Sequence, residues 1–82
     1  TSDERVKRNI RLTAKSLDDL MKVGVYDFNF AGEDENMTQT GFVAQQLYNI
    51  YPEAVYKPEN PEELWMVDYS KITPLLVKSV QQ

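Results

Sequence analysis

Val25-Tyr26-Asp27-Phe28-Asn29-Phe30 is the stretch on which the fold turns. Rings at 26, 28 and 30 alternate with Asp27 and Asn29, so three aromatic side chains share one face of a strand. Large apolar rings favour the interior, and Tyr26, Phe28 and Phe30 are therefore expected in the core. Behind them Ala31–Asn36 is acidic and contains Gly32, the composition of a turn. The chain is expected to double back through Met37–Val43 as an antiparallel hairpin.

Upstream of the hairpin, Thr13 is expected to cap a helix over Ala14–Val23. Leu17, Leu20 and Met21 would share one face, and Gly24 would close it. Asp18 and Asp19 fall in its early turns, where the helix dipole favours carboxylates. Val6–Leu12 alternates only loosely and reads as an extended arm or short strand.

Downstream, Ala44–Tyr51 has helical spacing, with Leu47, Ile50 and Tyr51 grouped and Pro52 ending the run. Val55-Tyr56 and Leu64–Val67 read as two short strands joined by an exposed turn, Lys57–Glu63, that holds Pro58 and Pro61. Trp65 is expected in the core or at an interface. From Tyr69 a helix runs to the end of the chain, capped by Asp68 or Ser70. Pro74 would make its first turn irregular, with the regular helix restarting there. Ile72, Leu76 and Val80 form one stripe with Leu75 beside it, suited either to its own sheet or to a trimeric seam. The class expected is α+β. It comprises an N-terminal extended arm, two or three short helices, short antiparallel β-hairpins, and a C-terminal helix joining a trimeric bundle. Residues 1–82 form one domain.

Composition narrows the chemistry. Eighty-two residues allow only a modest core, and chains this small usually lean on staples or partners. Cysteine and histidine are absent, so disulfides, thiol catalysis and His-based metal or acid–base sites are excluded. No metal or cofactor is expected. No apolar run approaches the roughly 18 residues of a membrane span, and no signal-peptide pattern is present. The chain opens on Thr1, not Met, and reads as an excerpt of a longer polypeptide. Its net charge of −4 is uneven: residues 1–22 carry +2 and residues 23–82 carry −6. An acidic body argues against a nucleic-acid partner, which needs a clustered cationic face. The basic arm could instead dock on acidic surface of its own or another protomer.

The arm itself, Thr1-Ser2-Asp3-Glu4-Arg5-Val6-Lys7-Arg8-Asn9-Ile10, holds a candidate nucleophile and base, Ser2 and Lys7. A lysine is a base only when its ammonium is destabilised by burial or by neighbouring cations. Near pH 7 roughly one ordinary lysine in a few thousand is neutral, and lowering its pKa by about three units costs about 4 kcal/mol. Arg5 and Arg8, flanking Lys7, push in that direction. Spacing works against the pair. Positions five apart on a strand face opposite ways about 17 Å apart, and on a helix they share no face. Ser2 and Lys7 can meet only if the intervening residues bend or another chain helps. The bland alternative is a solvated basic arm.

Three segments carry a resemblance: S-D-E-R-V-K-R-N-I at Ser2–Ile10, G-F-V-A-Q-Q at Gly41–Gln46, and V-D-Y-S-K-I-T-P-L-L-V-K-S-V-Q at Val67–Gln81. In this order and spacing they resemble the C-terminal intramolecular chaperone domain of phage tail-fibre and tailspike proteins, the endosialidase-type self-cleaving peptidases. The resemblance implies a homotrimer at the end of a fibre chain, which assists assembly of the upstream shaft and then cuts itself free between Thr1 and Ser2. It implies a Ser2–Lys7 dyad, with Asp3, Arg5 and Asn9 arranging the bend and Gly41 and Gln45 belonging to a second motif. A strand-end turn residue is the plainer account of Gly41. It further implies synthesis in the host cytoplasm and a parent protein in the virion tail; the acidic body and the lack of a long apolar run separately lead to the expectation of no nucleic-acid or membrane partner. Two positions depart from the usual pattern: Gln39 stands where many members carry histidine, and Gln46 where many carry glutamate. Two other functions fit the same motifs: a trimerisation or capping module that does not cut, and the same autoprocessing module on a non-viral membrane-anchored protein.

Overall fold

A computed structural model describes residues 1–82 and shows a small α+β chain built from short pieces. After a 3-10 turn at Glu4–Val6 the arm has no regular structure until α1, Leu17–Leu20. The first hairpin pairs β1, Tyr26–Phe28, with β2, Gln39–Gly41, in the register Tyr26–Gly41, Asp27–Thr40 and Phe28–Gln39. Then follow α2, Ala44–Tyr48, and a 3-10 turn at Pro52–Ala54. A second antiparallel pair joins β3, Val55–Tyr56, to β4, Met66–Val67. A 3-10 turn at Tyr69–Lys71 leads into α3, Ile72–Gln81, which packs on α1.

The core is one cluster of Leu47, Tyr51, Ala54, Ile72 and Leu75. Leu20, Val23, Phe42, Val55 and Val67 lean on it from the surrounding elements. α2 ends at Tyr48, three residues short of the expected Tyr51, with Asn49 as its C-cap. Pro52 instead occupies the first position of the following 3-10 turn, where a missing N–H costs nothing, and this turn holds the buried Ala54. Asp68 N–H then donates to Ala54 carbonyl at 2.8 Å, joining this turn to the entry of α3.

Several expectations change. The first helix is one turn long, with Ser16 as its N-cap, and the Asp19 carboxylate reaches back to accept the Ser16 N–H at 2.9 Å. Thr13 is not a helix cap. Its hydroxyl accepts the Lys15 N–H at 3.1 Å, a local turn that competes with helix. The three rings expected in the core do not reach it. Phe28 is half-buried, and Tyr26 and Phe30, the latter beyond the end of β1, are 39% and 54% exposed, because a two-stranded sheet with no layer across it has little to bury them against. The Phe28 and Phe30 rings instead meet edge to face, 5.1 Å apart.

On α3 the inward stripe is Ile72, Leu75 and Ser79, not Ile72, Leu76 and Val80. Ser79 tolerates burial because its hydroxyl donates to the Leu75 carbonyl at 2.8 Å. Leu76, Val77 and Val80 face outward, Val80 being 87% exposed. Pro74 lies inside the first turn of α3, where its missing N–H has no intrahelical partner to lose, so the helix starts two residues ahead of it. The Lys57–Glu63 turn is exposed apart from Pro58. Trp65 is half-buried, its ring 5.5 Å from Tyr48 edge to face.

The chain is loosely gathered. Its radius of gyration is 15.5 Å, against about 12 Å for a compact chain of this length. It exposes 7053 Å², roughly 2,000 Å² more than a compact monomer of its mass would.

Candidate functional site

Three residues shape the backbone around Ser2 and Lys7. Asp3 caps the first turn: its carboxylate accepts the Arg5 N–H at 2.9 Å while Arg5 Nε and Nη2 fork onto both its oxygens, the shortest contact being 2.6 Å. This fork is the bidentate geometry that makes arginine a clamp for carboxylates. It lowers the Asp3 pKa and raises that of Arg5, the side-chain hydrogen bond being the main cause of each. The turn closes through Val6 N–H to Asp3 carbonyl and Lys7 N–H to Glu4 carbonyl, both 3.1 Å. Asn9 then takes a left-handed conformation, φ 55°, and is the one non-glycine residue to do so. Asparagine is among the few side chains that accept this region readily. Its carbonyl accepts a hydrogen bond from Arg11 Nη1 at 3.0 Å.

Between Ser2 and Lys7 the chain is therefore coiled, which shortens a path that an extended strand would stretch to about 17 Å. The two side chains are not joined: both are exposed and no hydrogen bond links them. Lys7 has no carboxylate partner within the chain, whose ion pairs are Arg5–Asp3 and Lys15–Glu53. Every hydrogen bond made by residues 1–14 goes to a neighbour within three positions. The arm acquires contact with the body only at its root. There Lys15 Nζ lies 2.9 Å from Glu53 and over the Tyr51 ring at 5.2 Å. That ion pair raises the Lys15 pKa, the hydrogen bond to Glu53 leading. An open groove of about 800 Å³ runs here between Asn9 and residues 11–15 of the arm on one side and Asp19 and Glu53 on the other.

The second motif gathers elsewhere. Gly41 is buried at the end of β2, opposite Tyr26, and a Cβ there would run into the Tyr69 hydroxyl. The missing side chain admits Tyr69, whose hydroxyl oxygen accepts the Phe42 N–H at 3.2 Å and whose ring lies 5.0 Å from that of Phe42. Gln45, in the first turn of α2, is exposed. Its neighbour Gln46 accepts a hydrogen bond from the Tyr26 hydroxyl and so ties β1 to α2. Gln39 is exposed on β2, opposite Phe28.

The partners of Tyr26 and Tyr69 are what the sequence does not disclose: Gln46 for the first, and Phe42 and Gly41 for the second. Tyr69 lies within the third motif, but only the tertiary contact shows that it fills the space Gly41 leaves. The structure thus brings the second and third motifs together through Tyr69, while the arm stands apart. No three His, Cys, Asp or Glu side chains gather as a metal site, and no helix is long and apolar enough to cross a membrane.

The family model described as chaperone of endosialidase matches residues 2–56. That span takes in the arm from Ser2, the Asp3–Arg5 clamp, Asn9 and the Gly41–Gln46 segment, and ends before β4 and α3. No curated protein matches the chain.

Proposed function

Because the chain belongs to the chaperone-of-endosialidase family, we propose that it assists homotrimeric assembly of an upstream fibre or spike shaft and then releases itself by cutting the Thr1–Ser2 bond. The family supplies the chaperone role. The observation that carries the cutting role is the clamped turn between Ser2 and Lys7, set on an arm that its own chain leaves uncovered. Ser2 Oγ attacks the Thr1 carbonyl while Lys7 takes the hydroxyl proton, and that proton passes to the departing Ser2 amine. The product is an ester between Thr1 and Ser2 Oγ. Water hydrolyses it, freeing a Thr1 carboxylate and restoring the serine hydroxyl.

A lysine performs this step only as a neutral amine, which burial favours. In the single chain Lys7 is exposed, so the burial comes from a neighbouring protomer and cutting waits for assembly. On this reading the domain acts as a single-turnover serine endopeptidase on its own chain. The parent protein is made in the host cytoplasm and resides in the virion tail, and the domain is shed.

A non-cutting trimerisation module is the second reading, favoured by the outward Leu76, Val77 and Val80 of α3. One experiment separates them. A chain carrying its natural upstream residues is expressed as wild type, Ser2→Ala and Lys7→Ala, and intact masses are measured. Self-processing requires a product beginning at Ser2 in wild type and its loss in both variants. An uncut wild-type trimer leaves the second reading.

A further inference from the structure

The charges of this chain are segregated to a degree that folding of one copy does not resolve. Residues 5–17 hold five cations and no carboxylate, and residues 23–56 hold five carboxylates and no cation. Within one copy a single ion pair, Lys15–Glu53, joins the two stretches. Arg8 and Arg11 pair with no carboxylate, and neither do Glu33, Asp34 and Glu35 pair with any cation at the exposed tip of the β1–β2 hairpin. Apolar surface follows the same division. Ile10 and Leu12 on the arm are 71% and 92% exposed, and Phe30 and Met37, on either side of the acidic tip, are 54% and 56% exposed. Each surface is the complement of the other in charge and in hydrophobic content, and each is bare.

We infer that the arm of one copy docks along the β1–β2 hairpin of a second copy, Arg8 and Arg11 against Glu33–Glu35, and Ile10 and Leu12 against Phe30 and Met37. Opposed charge of this kind fixes register and steers encounter more than it adds raw affinity, while the apolar contacts supply burial. The surplus exposed surface of the chain leaves room for such an exchange. This rests on the assembly reading above and specifies which segment of one copy meets which segment of the next.

The absence of cysteine from the chain allows a direct test. Arg8→Cys is placed in one tagged copy and Asp34→Cys in another. The two are co-assembled in the full chain and treated with a short bismaleimide, and mass is followed by light scattering. Exchange predicts a covalent product holding one of each copy. Glu33→Lys with Glu35→Lys should cut its yield by about tenfold, and Arg8 being occupied by cysteine, Arg11→Glu on the partner should restore most of it. A double variant, Arg8→Cys with Asp34→Cys, that links only within one copy would overturn the exchange. So would an assembled oligomer with no link between arm and hairpin, whose hairpin then belongs to another occupant. A protein that scatters as a monomer would overturn the assembly reading and the exchange together.

Discussion

Gly41 and Tyr69 show how one missing atom organises two motifs. Filling the space with a methyl group drives Cβ into the Tyr69 hydroxyl, an overpacking expected to cost about 1–3 kcal/mol. Gly41→Ala should lower the unfolding midpoint in urea accordingly. Tyr69→Phe alone should lose about 1 kcal/mol with the Phe42 N–H bond, and the double variant should recover part of the glycine effect. Strictly additive losses would show that the two residues do not share the space. The Asp3–Arg5 clamp is a second residue-scale device, and its acid sensitivity has a definite sign. Asp3 has its pKa lowered below the ordinary 3.8, first by the Arg5 side-chain hydrogen bond. The turn is therefore fully held above that ordinary value and is lost as pH falls through the depressed one. Carboxyl resonances should show Asp3 titrating below 3.8, and Arg5→Gln should return it toward that value. The sequence names both halves of the clamp, because two side chains two positions apart find each other locally. It does not reveal Tyr69 as the partner of Gly41, since 28 residues and a hairpin separate them.

At the scale of elements, α3 carries apolar residues on two faces, and only one is used. Leu75 is 3% exposed and Leu76 46% exposed. Leu75→Ala should cost about 2–5 kcal/mol through the cavity it leaves, whereas Leu76→Ala should stay within about 0.5 kcal/mol in the isolated chain. Denaturant midpoints of the two variants check this, and equal losses would contradict the orientation of the helix. Periodicity locates such a helix but cannot choose between Ile72–Leu75–Ser79 and Ile72–Leu76–Val80, because each is an acceptable helical stripe. The buried face includes Ser79, which tolerates burial because its hydroxyl donates to the Leu75 carbonyl. The hairpins were legible for a different reason: alternation and turn residues are local. Burial of the β1 rings was not legible, because it depends on what lies across the sheet. In α1 the helix is shorter than the amphipathic run, with Asp19 reaching back to its Ser16 cap.

For the whole molecule, exposed surface is the deciding quantity. The surplus of roughly 2,000 Å² is about what one protomer buries when it makes two interfaces of standard size. Assembly and cutting should then fail together. Leu76→Lys with Val80→Lys should give a monomer by light scattering, and in a chain with its upstream residues the self-cleavage rate should drop by about a hundredfold or more. A stable monomer cutting at the wild-type rate would refute the coupling. This is also why the candidate site was only half legible: the bend lies in the sequence and in one chain, whereas one chain leaves Lys7 exposed and any cover must come from outside it. Trp65 offers a way to watch this without a label. It is the sole tryptophan, set edge-on against Tyr48 with the Lys57 ammonium 5.7 Å from its own ring centre. An indole held beside both a phenol and a cation is a built-in optical probe of the place where α2 meets the β3–β4 hairpin. Its emission reports when the body of the domain comes apart, and it stays silent when only the arm is lost.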